Sequence, residues 1–166
     1  MRLPLTKQEK YVPNLNQLMR LCTVNYIQLL KLFPCVRQFQ KGEQKQFCLA
    51  HSQGAVVTCT VTEAAPYTTF LTFTQEPQHV PREEEVAQDV LMSLFLTIRV
   101  RLYHDAQLAE VVDAQQDMIL PGRCAYPNSR LFQVDEKAQS NRFFSEWLTH
   151  CKKHGLAIST GSSIYY

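Results

Sequence analysis

The sequence is poor in glycine and lacks the short motifs that nucleotide-dependent enzymes use. It contains five glycines in 166 residues. They form no Gly-rich phosphate loop, no nucleophile elbow and no dinucleotide fingerprint. Phosphate-binding loops need glycine because their backbone amides approach the phosphate closely. These absences count against a nucleotide-dependent enzyme.

Long apolar runs and paired cysteines are also missing. No run of about 18 apolar residues exists, so no membrane-spanning helix is expected. Residues 1–7 lack the apolar core of a signal peptide. The six cysteines form no Cys-x-x-Cys pair, and a chain of this length does not need disulfides to support its core. We therefore expect free, mostly buried thiols and a cytoplasmic protein without membrane association.

Charge is present but unevenly distributed. The formal net charge is +2, yet residues 1–45 hold eight Lys or Arg and two acids, whereas residues 46–98 hold one Arg and six acids. The basic N-terminal third can attract an anionic partner, and weak RNA binding is one hypothesis. The balance falls short of the strongly basic footprint of a dedicated nucleic-acid binder, so nucleic acid is not the expected partner.

Two amphipathic helices are predicted near the ends of the chain. Asn14 provides an N-cap for the first, and Pro34 ends it. Asp135 caps the second, and Gly155 is expected to end it in the left-handed conformation. Apolar residues recur at helical spacing in both: Leu15, Leu18, Cys22, Tyr26, Leu29, Leu30 and Phe33 in the first, then Phe143, Phe144, Trp147, Leu148 and Cys151 in the second.

Between the helices, apolar and polar residues alternate with a period of two, which predicts strands. Consecutive strands between terminal helices indicate an α+β fold, in which an antiparallel sheet of five to six strands has both helices packed on one face. The predicted strands are about 45–51, 55–62 and 67–75, a hairpin from Leu96 to Val112, and a possible short strand near 118–120.

The chain length predicts one domain. We expect a flexible tail at 1–12, a single α+β domain at 13–155 and a C-terminal tail at 156–166. Pro77 and Pro81 bracket a loop insertion at 76–93.

The hairpin carries the candidate binding site. On its polar face, Arg99 and Arg101 lie about 7 Å apart along the strand. Guanidinium groups at this spacing can hold a phosphate or a carboxylate, with hydroxyls from Thr60 and Thr72 as further donors. Tyr103 ends the same face. An ordinary solvated Thr/Arg face is the more common explanation of the same pattern.

The hairpin register decides whether Arg101 is available. With a two-residue turn at Asp105–Ala106, Arg101 lies opposite Glu110 and is neutralised there. With a four-residue loop, Tyr103 lies opposite Glu110 instead, and Arg101 lies opposite Val112. The sequence leaves both registers open.

Two histidine clusters carry reactive side chains. Tyr103-His104-Asp105 has the residue types of acid–base chemistry, but adjacent strand residues point to opposite faces, so His104 is expected on the core side. His150 and His154 lie one helical turn apart, as metal ligands often do. No second ligand cluster accompanies them, so we expect neither a metal site nor a cofactor.

Two functional hypotheses follow. The first is a non-enzymatic binding or protein-interaction module that uses the open sheet face for a protein partner or a small anion, or pairs with a second copy. The second is an enzyme that acts on a phosphorylated or acidic metabolite. It would use Arg101, Tyr103, His104 and Glu110 in a pocket that the 126–128 loop completes.

Several segments between residues 11 and 155 have the pattern of one family. They are Met19–Cys22, Asn25–Tyr26, Tyr67–Thr69, Val100–Ala106, Tyr126–Asn128, Asp135–Lys137, Gln139, Asn141, Trp147–Leu148, Cys151 and His154–Gly155. On these residues the chain resembles the YqiB-like bacterial proteins, a domain of unknown function. The resemblance implies a small bacterial cytoplasmic protein, and it brings no known catalytic residue that can be assigned to this chain.

Overall fold

A computed structural model of the protein describes residues 14–50, 54–78, 95–115 and 136–157. The described residues form strands between two helices, which is the predicted α+β order. The elements are α1 (Leu15–Leu32), a 3₁₀ helix (Val36–Gln38), β1 (Gln44–Leu49), β2 (Ala55–Ala64), β3 (Thr68–Glu76), β4 (Leu96–Tyr103), β5 (Leu108–Gln115), α2 (Glu136–His154) and β6 (Gly155–Ala157).

Helix α1 begins and ends where the sequence indicates. The Asn14 side chain accepts a hydrogen bond from the Gln17 backbone N–H at 3.2 Å, so the predicted N-cap is confirmed. At the other end, the Phe33 N–H still donates to the Leu29 carbonyl at 2.7 Å. Pro34 follows and cannot continue this pattern, because proline has no amide hydrogen.

The six strands form one antiparallel sheet in the order β5-β4-β3-β2-β1-β6. Strands β1 to β5 follow one another along the chain, so each pairs with its predecessor. The predicted antiparallel sheet of five to six strands is therefore confirmed. The sixth strand is Gly155–Ala157, which pairs with β1 and which the sequence did not indicate.

Gly155 does not adopt the expected left-handed cap. Among the described glycines, the positive φ angles belong to Gly42 (89°) and Gly54 (73°). Gly155 instead begins β6 directly after α2. A Cβ at this position would lie 2.5 Å from the Cys151 carbonyl oxygen, so glycine is required because the strand leaves the helix in close contact with it.

The core lies on one face of the sheet, and both helices pack there as predicted. Phe73 of β3 is at its centre: its ring lies 6.2 Å from Phe33, 5.8 Å from Phe144 and 5.4 Å from Trp147, measured between centroids. One side chain thus contacts residues that flank or belong to both helices. The N-terminal end of the α1 stripe departs from expectation, since Leu15 is 66% exposed.

A buried asparagine joins both helices to the edge strand β5. The Oδ1 atom of Asn141 in α2 accepts the backbone N–H of Val111 at 3.0 Å, at a point where the β4–β5 pairing shifts by one residue. Asn25 of α1 donates to the Asn141 carbonyl at 3.1 Å, and the Cys22 thiol lies 3.6 Å from Oδ1. Asn141 and Asn25 are fully buried, and the cluster gives partners to the Val111 amide and the Asn25 amide nitrogen, which water cannot reach. Asn25 Oδ1 has no partner among the described residues.

Replacing the amide of Asn141 should therefore be costly. We expect Asn141→Ala to lower the free energy of unfolding by about 3 kcal/mol, because it leaves buried donors without an acceptor. Urea denaturation followed by circular dichroism measures this. The neighbouring Arg142 is exposed, so Arg142→Ala should change stability by less than about 0.5 kcal/mol. Equal effects of the two substitutions would contradict the role of Asn141.

Some expectations lie outside the described residues. These are the tail at 1–12, most of the 76–93 insertion, the short strand near 118–120 and the C-terminal residues after 157. Within the ranges that are described, neither helix has the length and apolar character needed to cross a membrane.

Candidate functional site

We call the sheet face opposite the helices the outer face. The predicted alternation is confirmed as far as Val61 in β2 and throughout β3 and β4, where residues of one parity are buried in the core and outer-face residues are half-buried or exposed. A bulge after Val61 ends the alternation in β2, so Glu63 is exposed. The outer face carries Gln46, Thr58, Thr60, Thr62, Thr68, Phe70, Thr72, Thr74, Thr97, Arg99, Arg101, Tyr103 and Glu110.

The structure defines the pairing register of β4 and β5. Arg101 lies opposite Glu110, and Tyr103 lies opposite Leu108. This is the pairing that a two-residue turn at 105–106 predicts, although residues 104–107 all belong to the turn and Gln107 has a positive φ of 55°. The alternative pairing of Tyr103 with Glu110 is therefore wrong.

Arg99 stands at the end of a polar row that crosses four strands. The register aligns Arg99 with Thr72, Thr72 with Thr60, and Thr60 with Gln44. Neighbouring strands lie about 4.8 Å apart, so successive side chains in the row are neighbours. We call this set the threonine row. On its other side Arg99 lies opposite Asp113 of β5.

Arg101 packs on an aromatic ring rather than against the carboxylate opposite it. Its Cζ atom lies 4.3 Å from the ring centroid of Phe70 on β3. Its Nη1 donates to the Tyr103 hydroxyl at 3.2 Å. Its Nε atom is buried and has no hydrogen-bond partner among the residues described. Stacking on an aromatic face fixes a guanidinium in place without using its in-plane donors.

Glu110 forms its ion pair with a cation other than Arg101. Its carboxylate forms an ion pair with Lys137 at the start of α2. The hydrogen bond from Lys137 to this carboxylate holds the pKa of the lysine above its usual value. The lysine side chain is largely exposed, so the pair contributes at most about 1 kcal/mol to stability. Its importance is geometric, because the carboxylate opposite Arg101 has Lys137 as its ion-pair partner. The expectation that Glu110 neutralises Arg101 is not what the structure shows.

His104 lies on the core side, as parity predicts. Its Nδ1 is 3.0 Å from the Tyr26 hydroxyl, and its Nε2 is 2.9 Å from the Thr69 hydroxyl. Arg37 Nε donates to the same Tyr26 oxygen at 3.1 Å. Burial lowers the pKa of His104, the Arg37 charge lowers it further, and Asp105 raises it.

The residues of the enzyme hypothesis are therefore not gathered in one place. Arg101, Tyr103 and Glu110 share the outer face, whereas His104 is buried on the other side of the sheet. The 126–128 loop of that hypothesis lies outside the described residues.

The second histidine cluster is a helical pair. The rings of His150 and His154 have centroids 4.8 Å apart on the last turns of α2. In the part of the chain that the structure covers, no three His, Cys, Asp or Glu side chains are grouped so that they could hold a metal ion.

The cysteines differ sharply in exposure. Cys22, Cys59 and Cys151 are buried thiols in the described core, as expected, whereas Cys35 is exposed. Burial raises the pKa of Cys22 to about 11 and raises the pKa of Cys59 and Cys151 as well. Since the thiolate is the reactive form, the three buried thiols should be inert in the folded protein.

This contrast predicts a labelling pattern. Brief treatment of the native protein with iodoacetamide at pH 8 should modify Cys35 and leave Cys22, Cys59 and Cys151 unmodified, as read by peptide mass spectrometry. In urea all four should react. Rapid native labelling of Cys59 would contradict the core described above.

The class of protein is defined by this fold: an α+β sheet with two helices on one face and an Arg/Thr face on the other. The chain belongs to the family described as "Protein of unknown function (DUF1249)", whose model matches residues 28–157. It is 36% identical over 147 residues to "Uncharacterized protein YqiB" of Escherichia coli strain K12, a match that covers 89% of this chain and 94% of that protein.

The same identity and coverage hold for the YqiB proteins of E. coli O6:H1 (strain CFT073) and O157:H7. No solved structure matches the chain. The resemblance drawn from the sequence is confirmed, and these names carry no activity to this protein.

Proposed function

We propose that the protein is a non-enzymatic binding module whose outer face binds the phosphate or carboxylate group of a small anionic ligand. The observation that carries this proposal is the state of Arg101. Its guanidinium is stacked on Phe70, its Nε is buried without a described partner, and the carboxylate opposite it is engaged by Lys137. The site residues are Arg99, Arg101, Tyr103 and the threonine row, with Glu110 at the margin.

Charge along the outer face favours one side of the arginines. On the β5 side lies the carboxylate of Asp113, since that of Glu110 is paired with Lys137, whereas on the β3 side lie hydroxyl groups. An anion is repelled by the first side and accepts hydrogen bonds on the second. The ligand's acid group is therefore placed between Arg99 and Thr72.

The two arginines have different roles in this proposal. Arg99 is exposed and is not ion-paired with any residue that the structure describes, so it supplies the charge that meets the ligand. Arg101 is held by Phe70 and Tyr103, so its side chain loses less freedom when an anion binds. A planar guanidinium that presents two parallel N–H groups matches a carboxylate or phosphate.

Binding fits the site better than catalysis does. The imidazole that acid–base chemistry would use, His104, is buried on the opposite face and hydrogen-bonded through both ring nitrogens. The proposal also places the protein in the cytoplasm, because thiols packed in the core, such as Cys59, suit a reducing compartment.

The test is ligand-dependent stabilisation of paired variants. Inorganic phosphate and citrate, added separately, represent the two acid groups. A ligand at about 100 times its Kd stabilises a protein by about 2.7 kcal/mol, which thermal unfolding detects. We expect stabilisation of the wild type and its loss in the Arg99→Ala/Arg101→Ala double variant, with the urea midpoint in ligand-free buffer little changed.

The matched control is Arg20→Ala/Arg142→Ala, which removes the same charge from exposed helix positions. It should retain the stabilisation. If the double variant at Arg99 and Arg101 is stabilised as much as the wild type, or if both double variants lose the effect equally, the outer face is not the site.

A further inference from the structure

We propose that the hydrogen-bonded chain Arg37–Tyr26–His104–Thr69 is a pH-sensitive lock, which holds the β4–β5 turn against α1 while His104 is neutral and releases it when His104 is protonated. This inference is independent of the proposed ligand. It concerns the core side of the sheet, where none of the outer-face residues takes part.

The direction of each hydrogen bond follows from chemistry. Arg37 can only donate, so the Tyr26 oxygen accepts from its Nε at 3.1 Å. We assign the Tyr26 hydroxyl hydrogen to His104 Nδ1, 3.0 Å away, because this gives the hydroxyl an acceptor; in this tautomer Nδ1 carries no proton. The imidazole hydrogen is therefore on Nε2, from which it is donated to the Thr69 hydroxyl at 2.9 Å. This arrangement of hydrogen bonds fits the neutral imidazole.

The same residues tie down the backbone of the turn. Arg37 Nη2 donates to the His104 carbonyl at 3.4 Å, and the His104 N–H donates to the Tyr67 carbonyl at 2.9 Å. The backbone of His104 is thus hydrogen-bonded both to Arg37, in the segment after α1, and to Tyr67, in the turn before β3. If the side-chain bonds fail, the β4–β5 turn loses its attachment to α1.

Protonation of His104 conflicts with its surroundings. A second ring proton, on Nδ1, would meet the hydroxyl hydrogen of Tyr26 from α1 and the positive charge of Arg37 from the 3₁₀ helix. Thr69 of β3 is uncharged, and among the residues that the structure describes the acid that acts on the ring is Asp105, which is exposed. The charged form is therefore better accommodated when the turn opens and water reaches the ring.

The sign of the pH effect follows from this difference. Burial and Arg37 depress the pKa of His104 in the closed state below the ordinary value of 6.5. The open state takes up a proton near pH 6.5, so the lock has full strength above that pH. As pH falls below about 6.5, the opening equilibrium constant should rise by up to about tenfold per pH unit until the closed state is protonated too.

Hydrogen exchange and NMR test the lock directly. We expect ¹⁵N NMR at pH 7.5 to show His104 protonated on Nε2 alone. Exchange of the His104 amide, corrected for intrinsic rates, should become faster between pH 7 and pH 5, whereas the Val100 amide in mid-strand should show no such change. Protonation on Nδ1 at pH 7.5, or an opening constant independent of pH, would overturn the proposal.

Three variants distinguish a pH-sensitive lock from simple packing. Arg37 is exposed, so Arg37→Gln should fold and raise the pKa of His104 in the closed state. The rise in opening should still begin near pH 6.5, but it should be smaller and should end at a higher pH. Arg20→Gln removes a charge from an exposed α1 position and should leave both unchanged. His104→Gln should abolish the pH dependence of opening. If Arg37→Gln leaves the pKa of His104 unaltered, the chain does not act as proposed.

Discussion

The structure depends on burying one face of an antiparallel sheet under two helices that are more than a hundred residues apart in the chain. Phe73 shows how this is done, since its ring contacts Phe33 beside α1 and both Phe144 and Trp147 in α2. Neither helix would be stable alone, because helices of this length owe most of their stability to tertiary packing. The sheet therefore holds the helices in place, and the helices leave its other face for contact with solvent or ligands.

Much of this arrangement could be predicted from local patterns in the sequence. Period-two alternation identified β2, β3 and β4 and assigned the correct face to every residue from Leu96 to Tyr103. The Asn14 cap and the Pro34 stop located α1. These signals are local, because they depend on side chains within a few residues of each other. The pattern does not contain β6: the three residues Gly155–Ala157 become a strand because β1 offers an edge to pair with.

The candidate site shows the same limit. The sequence placed Arg99, Arg101 and Tyr103 on one face, but it could not assign the partner of Glu110. That partner, Lys137, lies in a different element and 27 positions further along the chain. Phe70 was assigned to the outer face without a role, and its position opposite Arg101 follows only from the β3–β4 register. Pairs across strands depend on register, and register depends on turns whose geometry the sequence left open.

Because neighbouring strand residues point to opposite faces, Tyr103 and His104 lie on different sides of the sheet although they are adjacent in the sequence. Tyr103 faces outward and contributes to the arginine cluster, whereas His104, the next residue, points inward to Tyr26 and Thr69. His104, an imidazole whose ordinary pKa is near neutrality, therefore lies away from the exposed face, between the β4–β5 hairpin and α1. Two adjacent residues at the end of β4 thus serve opposite faces of the sheet, and His104 does not contact the surface that carries Arg101.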